Sequence, residues 1–397
     1  MQILFEQYKR ILHETDTSFK RYLFSEIDWS NRLIAITGAR GTGKTTLLLQ
    51  HIKEDLPTDE TTLYASLDNI YFSENKLFDF VDEFVKSGGK VLLLDEVHKY
   101  AKWSVELKNI YDSFKKLKII FTGSSVLEIE KSKADLSRRA VIYQLNGLSL
   151  REFINIEKSK KYSAVTLDEL LTKHTQIAGD ISSAIKPLPL FKQYLQYGFY
   201  PYYLENKNLY HQKLRQTINL IIETDLPAAQ QIDFTSVQKL KKLLYILSQT
   251  VPFKPNISKL AERVETTRPT LLLYLHYLER ALLISQLKDK TKGLGLMSKA
   301  EKIYPGNPNI MSALVEDKPD TGTMRETFFL NHLSLDHTVT SNDKGDFMVD
   351  KKWLFEIGGK TKNAIQITGI KNSFLALDDI EIGFKNKIPL WLFGFLY

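Results

Sequence analysis

No cysteine occurs among the 397 residues, which excludes disulfide frameworks, thiolate metal centres and cysteine nucleophiles. No apolar run approaches the roughly 18 residues that a membrane-crossing helix needs. The terminal IPLWLFGFLY is apolar but too short to span, and reads as a buried last strand. The opening MQILFEQYKRILHE alternates apolar and charged residues and lacks the apolar core of a signal peptide. Internal repeats and low-complexity tracts are also missing. Cytoplasm is therefore the expected location, with no membrane partner. What is there has the balance of a globular protein, with 43% hydrophobic and 25% charged residues. A surplus of 54 basic over 47 acidic residues leaves +7. That permits contact with nucleic acid without arguing for it, because solvated faces carry such surpluses.

Strand-like and helical stretches alternate through the first 150 residues, giving a domain expected over 1–150. RLIAITG (32–38), TTLYASLD (61–68), KVLLLDE (90–96), KIIFTGSS (118–125) and AVIYQLNGLS (140–149) read as strands. Between them, 44–56, 76–88 and 103–117 have helical spacing. Near-continuous apolar strands alternating with helices predict an α/β fold: a parallel sheet covered on both faces. Residues 151–250 turn helical, 251–305 read as helix, turn, helix followed by a Gly/Lys-rich stretch, and 306–397 mix helix and strand. AIQITG belongs to the strand signals of that last part.

Gly38-Ala39-Arg40-Gly41-Thr42-Gly43-Lys44-Thr45, followed by Thr46, stands between a strand and a helix and matches the P-loop pattern in full. The glycines let backbone N–H groups face phosphates, and the helix N-terminus adds its positive end. Lys44 is placed for the β- and γ-phosphates of ATP, and Thr45 for Mg²⁺. Val91-Leu92-Leu93-Leu94-Asp95-Glu96 is an apolar strand ending in acid. Asp95 is expected near Mg²⁺ and Glu96 as the group that activates water. Ser124, with Ser125 next, follows the next strand and would contact the γ-phosphate or the water, or else cap the following helix. Arg139, beside Arg138, would stabilise charge in a neighbouring subunit, or else sit in a salt bridge at the sheet edge. His98 lies close by and is left out of the catalytic set.

GARGTGKTT, VLLLDEVHK, IIFTGSS, SRRAVIYQLNGLSLREF, GFYP and IIETDLP follow in that order. The series resembles a large prokaryotic family of AAA-type ATP-binding proteins. The resemblance implies an AAA-like ATPase core, a winged-helix region and a C-terminal domain of restriction-nuclease-like fold. A Gly-Arg pair is usual in that family before the Leu-Ser-x-x-Glu-Phe segment; here Arg138-Arg139 takes its place, which matches Arg139 to the family arginine.

In the putting-together of 257–304, Thr267 would cap the second helix with Pro269 in its first turn. Lys288, Lys290, Lys292, Lys299 and Lys302 would form a basic wing against a DNA backbone, with Arg268, His276 and Arg280 as the residues of the second helix able to reach it. Packing is the other use of such a winged helix. Further on, Glu326 in a helix, Asp346 and Glu356 in strands and a nearby lysine resemble a restriction-type nuclease site. Gly358 stands where that lysine is expected, and Lys360 would substitute for it; Gln366 fits the strand region that follows. A degenerate domain that does not cut is the expectation. The function expected is hydrolysis of ATP to ADP and phosphate, coupled to rearrangement on DNA or a protein partner, with self-association if Arg139 acts across subunits. The alternatives are an ATP-regulated, Mg-dependent DNA nuclease and a nucleotide-gated binding module with negligible turnover.

Overall fold

The computed structural model describes residues 1–123, 136, 138–230, 232–249, 256–288, 300–315 and 319–397. They fall into two compact units, Met1–Gly147 and Leu148–Tyr397. Among the described residues no helix is long and apolar enough to cross a membrane.

The N-terminal unit is built on five strands: β1 (Leu33–Thr37), β2 (Thr62–Ser66), β3 (Val91–Asp95), β4 (Lys118–Gly123) and β5 (Val141–Gln144). Their order is β2-β3-β4-β1-β5, and every pairing is parallel. β1 is buried at all its positions, as an apolar strand covered on both faces must be. Helices Lys44–Asp55, Leu77–Lys86 and Trp103–Ser113 supply the cover. β5 departs from the expectation of burial. It is the edge strand, and Val141 and Ile142 stay partly exposed. The parallel order brings the carboxyl ends of β1, β3 and β4 side by side, the edge where open α/β sheets bind ligands.

The second unit opens with helix Leu150–Lys158. The Leu-Ser-x-x-Glu-Phe segment proves to be its capping box: Ser149 accepts from Glu152 N, and Glu152 accepts from Ser149 N, both residues being buried. Helices Leu167–Ala184, Pro187–Tyr197, Tyr210–Leu220 and Phe234–Gln249 follow. Helices Ile257–Arg263 and Arg268–Arg280 are joined by a short turn, with Thr267 as the cap and Pro269 in the first turn as the sequence implied. A hairpin of β6 (Ile284–Lys288) and β7 (Ala300–Pro305) comes next.

The last sheet has the order β12-β11-β10-β9-β8, from β8 (Val339–Asn342), β9 (Gly345–Val349), β10 (Trp353–Gly358), β11 (Ser373–Leu377) and β12 (Lys387–Pro389). Helix Thr321–Leu333 lies against it, with Phe329 packed on Phe347, Phe355 and Phe393. Two expectations change here. The terminal apolar run is buried, but only Lys387–Pro389 is strand. Pro389, which cannot donate to a ladder, ends it, and Leu390–Phe395 coils into a 3-10 helix that seats Trp391, Phe393 and Phe395 in the core. AIQITG is not a strand either: Ile365–Ile367 is a 3-10 turn that buries Ile367, and the strand after β10 begins at Ser373.

Candidate functional site

Between β1 and helix Lys44–Asp55 the backbone takes conformations that suit glycine. Gly41 and Gly43 have φ of 84° and 92°, and Gly38 has 151°. A Cβ on Gly38 would also lie 2.2 Å from Leu145 O. Gly43 caps the helix without a side-chain partner, so the first N–H groups stay directed at the loop's hollow. Lys44 is buried inside that hollow, and its Nζ donates to Gly38 O (3.0 Å) and Ala39 O (2.9 Å). The loop is braced from behind by Arg21, a buried residue that sequence patterns did not single out. Its guanidinium donates to Thr42 O, to Asn146 O at 2.9 Å and to Gly147 O at 2.8 Å.

Asp95, at the end of β3, is the hub of the site and is 2% exposed. Its Oδ2 accepts from Thr45 Oγ1 (2.6 Å) and from the Tyr64 hydroxyl (2.8 Å). Its Oδ1 accepts from the Thr122 hydroxyl and from Glu96 N (3.1 Å), and Glu96 N also meets Thr122 Oγ1 at 3.1 Å. Burial, and then the Asp95 charge, push the Tyr64 phenol well above its ordinary range, so it stays protonated and donates. Glu96 is held in the left-handed region, φ 52° and ψ 39°. Its carboxylate is partly exposed and lies 3.5 Å from Nε2 of the buried His98.

The structure thus gathers Gly38, Ala39, Arg40, Gly41, Thr42, Gly43, Lys44, Thr45, Asp95 and Glu96 at one sheet edge. Thr46 sits one step along the helix and is exposed. ATP and Mg²⁺ fit this donor set: a cradle that only glycine leaves open, a buried ammonium, and the oxygens of Thr45 and Asp95, the hard ligands that Mg²⁺ takes. Tyr64, Thr122 and His98 join the site, and the sequence reading did not assign them. The one available signal was a polar group inside an apolar strand, as in LYA and IFTG. Ser124 and Ser125 lie outside the described residues.

Arg139 does not belong to its own chain's site. It precedes β5, which runs parallel to β1, so it stands at the opposite edge of the sheet from the loop that follows β1. There it forks onto Asp112, with Nε and Nη2 each 3.0 Å from a carboxylate oxygen. Arg138 is exposed.

The acidic residues of the last sheet do converge, but on lysines. Asp346 on β9 faces Glu356 on β10, one step past the paired Phe347 and Phe355. Glu356 is buried and bonds Lys362 Nζ at 2.5 Å; Gln366, with its amide turned to donate, adds contacts of 2.6 and 3.1 Å. Lys360, expected in that place, is exposed. The chain turns back after β10, with Lys362 N donating to Gly359 O at 2.9 Å. The stem of Lys362 then lies over Gly358, where a Cβ would fall 2.5 Å from it. Lys302 also departs from the expected wing. It does not face outward on a basic wing but points at Glu326 and Asp346, 3.7 and 3.6 Å away. Burial raises the pKa of both Glu326 and Glu356. Arg268 is exposed, and His276 and Arg280 are half-buried on their helix. The side chain of Lys288, and Lys290, Lys292 and Lys299 altogether, lie outside the described residues.

Residues 30–154 match the family model of an AAA domain, and residues 188–321 match that of a domain of unknown function. An uncharacterized protein of Methanocaldococcus jannaschii is 30% identical over 269 residues, 64% of this chain and 56% of that protein. One of Haemophilus influenzae is 24% identical over 285 residues, covering 68% and 66%. The chain therefore spans little more than half the length of the first of these relatives. Among solved structures, a Walker-type ATPase of Pyrococcus abyssi aligns at 12% identity over 78% of this chain and 95% of its own, with a TM-score of 0.41. AMPPCP-bound DnaA of Aquifex aeolicus aligns at 15% over 69% and 87%, with a TM-score of 0.25. The N-terminal unit is thus similar in sequence to AAA domains, and it carries a parallel sheet with a phosphate-type loop at its carboxyl edge.

Proposed function

We propose that the N-terminal unit binds Mg-ATP and hydrolyses it to ADP and phosphate. The observation that carries this is the Asp95 hub. One carboxylate joins the Thr45 hydroxyl of the loop helix to the backbone N–H of Glu96, the acid that follows it. Lys44 supplies a point charge for the β- and γ-phosphates. Thr45 and Asp95 would hold Mg²⁺, which when bound neutralises charge developing on the phosphates. Glu96, exposed enough to meet water, takes its proton, and His98 orients that carboxylate. Positioning and charge supply most of the catalysis in such a site.

Lys44→Ala is expected to lose nucleotide binding. Glu96→Gln is expected to bind a fluorescent ATP analogue normally and to release phosphate about 10²- to 10⁴-fold more slowly, the usual share of a general base. Unchanged turnover in Glu96→Gln would remove Glu96 from this role, and no turnover in the native chain would leave the nucleotide-gated binding module.

We further infer that nucleotide state drives a rearrangement felt by a macromolecular partner of the second unit. The paired helices of 257–280 and the hairpin after them have the layout of a winged helix, which supports DNA as that partner. The inward turn of Lys302 takes one positive charge from that surface and supports a protein instead. Duplex DNA that raises phosphate release decides for the first; no effect at low salt decides for the second.

A further inference from the structure

A restriction-nuclease-like site implies a divalent metal held by Glu326, Asp346 and Glu356, and the residues present do not fit one. Among the described residues no group of three or more His, Asp or Glu is placed to hold a metal ion. Protein donors already point at the three carboxylates. Lys302 Nζ stands 3.7 Å from Glu326 Oε2 and 3.6 Å from Asp346 Oδ1, with its side chain 17% exposed. Tyr304, two residues along β7 and so on the same face, donates to Glu326 Oε2 at 2.5 Å. Asp346 Oδ2 accepts from Ile357 N at 2.8 Å. Glu356 is bound by Lys362. Two ammonium groups thus offset most of the charge that would draw a divalent cation.

The same contacts have a second aspect. Lys302 and Tyr304 come from the β6–β7 hairpin, whereas Glu326 lies on helix Thr321–Leu333 and Asp346 on β9. Glu301 of β7 adds a contact to the Ser341 hydroxyl on β8. Polar contacts from one strand therefore converge on three elements of the C-terminal sheet region.

We propose that Lys302 and Tyr304 form an internal plug: the hairpin provides the cation for the Glu326–Asp346 pair, and the pair serves as an ionic dock for the hairpin in place of a metal-dependent cutting centre. The plug goes beyond the proposed ATPase and does not depend on it. Removing either charge frees the hairpin, because a part-buried charge left without its partner is costly. Glu326, whose carboxyl is raised first by burial and then by Asp346, would take a proton more readily once the ammonium is gone.

The test uses the full chain without nucleotide. Hydrogen exchange over residues 300–305 is followed by mass spectrometry in the native chain, Lys302→Met, Asp346→Asn and the double variant. Each single change is expected to speed exchange there by at least about ten-fold, the scale of a hydrogen bond to a charged group. The double variant should be no faster than the faster single, since Lys302→Met already removes the contact that Asp346→Asn removes. Additive effects, or no change at β7, overturn the plug. If Lys302→Met unfolds the unit, seen as rapid exchange throughout 148–397, the near-isosteric Glu326→Gln is read alone in its place: faster exchange over 300–305 is expected, and no change there overturns the plug. In parallel, electron paramagnetic resonance counts bound Mn²⁺. The plug requires that Asp346→Asn remove none from the native chain. An Mn²⁺ ion lost with Asp346 shows that the carboxylates hold a metal, and the proposal fails.

Discussion

The hydroxyl of Tyr64 donates to Asp95 Oδ2 across the β2–β3 boundary at 2.8 Å, onto the same oxygen that Thr45 meets at 2.6 Å. Were Thr45 to turn to Mg²⁺ as proposed, Tyr64 would remain to fix that oxygen. Tyr64→Phe keeps the ring and its packing and removes the donor. Outer partners of a metal-binding carboxylate typically matter by about 10- to 100-fold in metal affinity. The expected result is a Mg²⁺ titration of phosphate release whose midpoint rises about ten-fold, with ATP affinity at saturating Mg²⁺ kept. An unmoved midpoint would leave Tyr64 a packing residue.

His98 tests the next link. Its ring is buried and its Nε2 lies 3.5 Å from the Glu96 carboxylate. His98→Ala is expected to lower turnover about ten-fold and leave nucleotide affinity unchanged, because it loosens the base without touching the phosphate loop. Equal losses in affinity and turnover would mean that the substitution has disturbed the loop instead.

Arg139 yields a prediction of little change. Its guanidinium is engaged by Asp112 at the edge away from the loop. In dilute protein, Arg139→Ala should alter phosphate release by less than about two-fold, since a surface ion pair contributes little. If activity per chain of the native protein climbs with concentration and the variant's does not, Arg139 serves a neighbouring subunit.

Acid should weaken the second unit through His332. This residue is fully buried between Tyr194 and Phe328 O, and burial lowers its pKa to about 4. A histidine with a depressed folded pKa adds stability above its unfolded value of 6.5, and that stability fades as pH falls toward 4. The span corresponds to about 3 kcal/mol. Thermal midpoints measured from pH 7 to 4 should fall, and His332→Asn should flatten the decline. A variant with the native slope would place the acid sensitivity elsewhere.

The parallel sheet, the loop from Gly38 to Thr45, Asp95 and Glu96 could be read from the chain because each is local. A short apolar run, a glycine-rich turn or an acid at a strand's end carries its meaning within a few residues. Tyr64 and Thr122 could not be read that way. They meet Asp95 only because β2 and β4 flank β3, and strand order is not written in any one segment. Lys362 is hidden from a sequence pattern for a related reason. The turn after β10 folds its stem over Gly358, whereas nearness in sequence favours Lys360. Composition shows Lys302 only as one charge in a basic stretch, whereas the β-pleat sets which way it points. Arg21 offered no pattern at all, and only the tertiary fold brings it to three carbonyls.

The backbone at Glu96 sets two demands against each other. In the left-handed region a glycine would rest without strain, whereas a residue with a Cβ costs about 1–2 kcal/mol. Glu96→Gly would keep the N–H that meets Asp95 and Thr122, and should leave the unit as stable or more so. A chain needed only to hold nucleotide would gain firmness from that change, at the cost of the carboxylate's approach to His98. Keeping the carboxylate is what the proposed hydrolysis would ask of this position, and what passive holding of nucleotide would not.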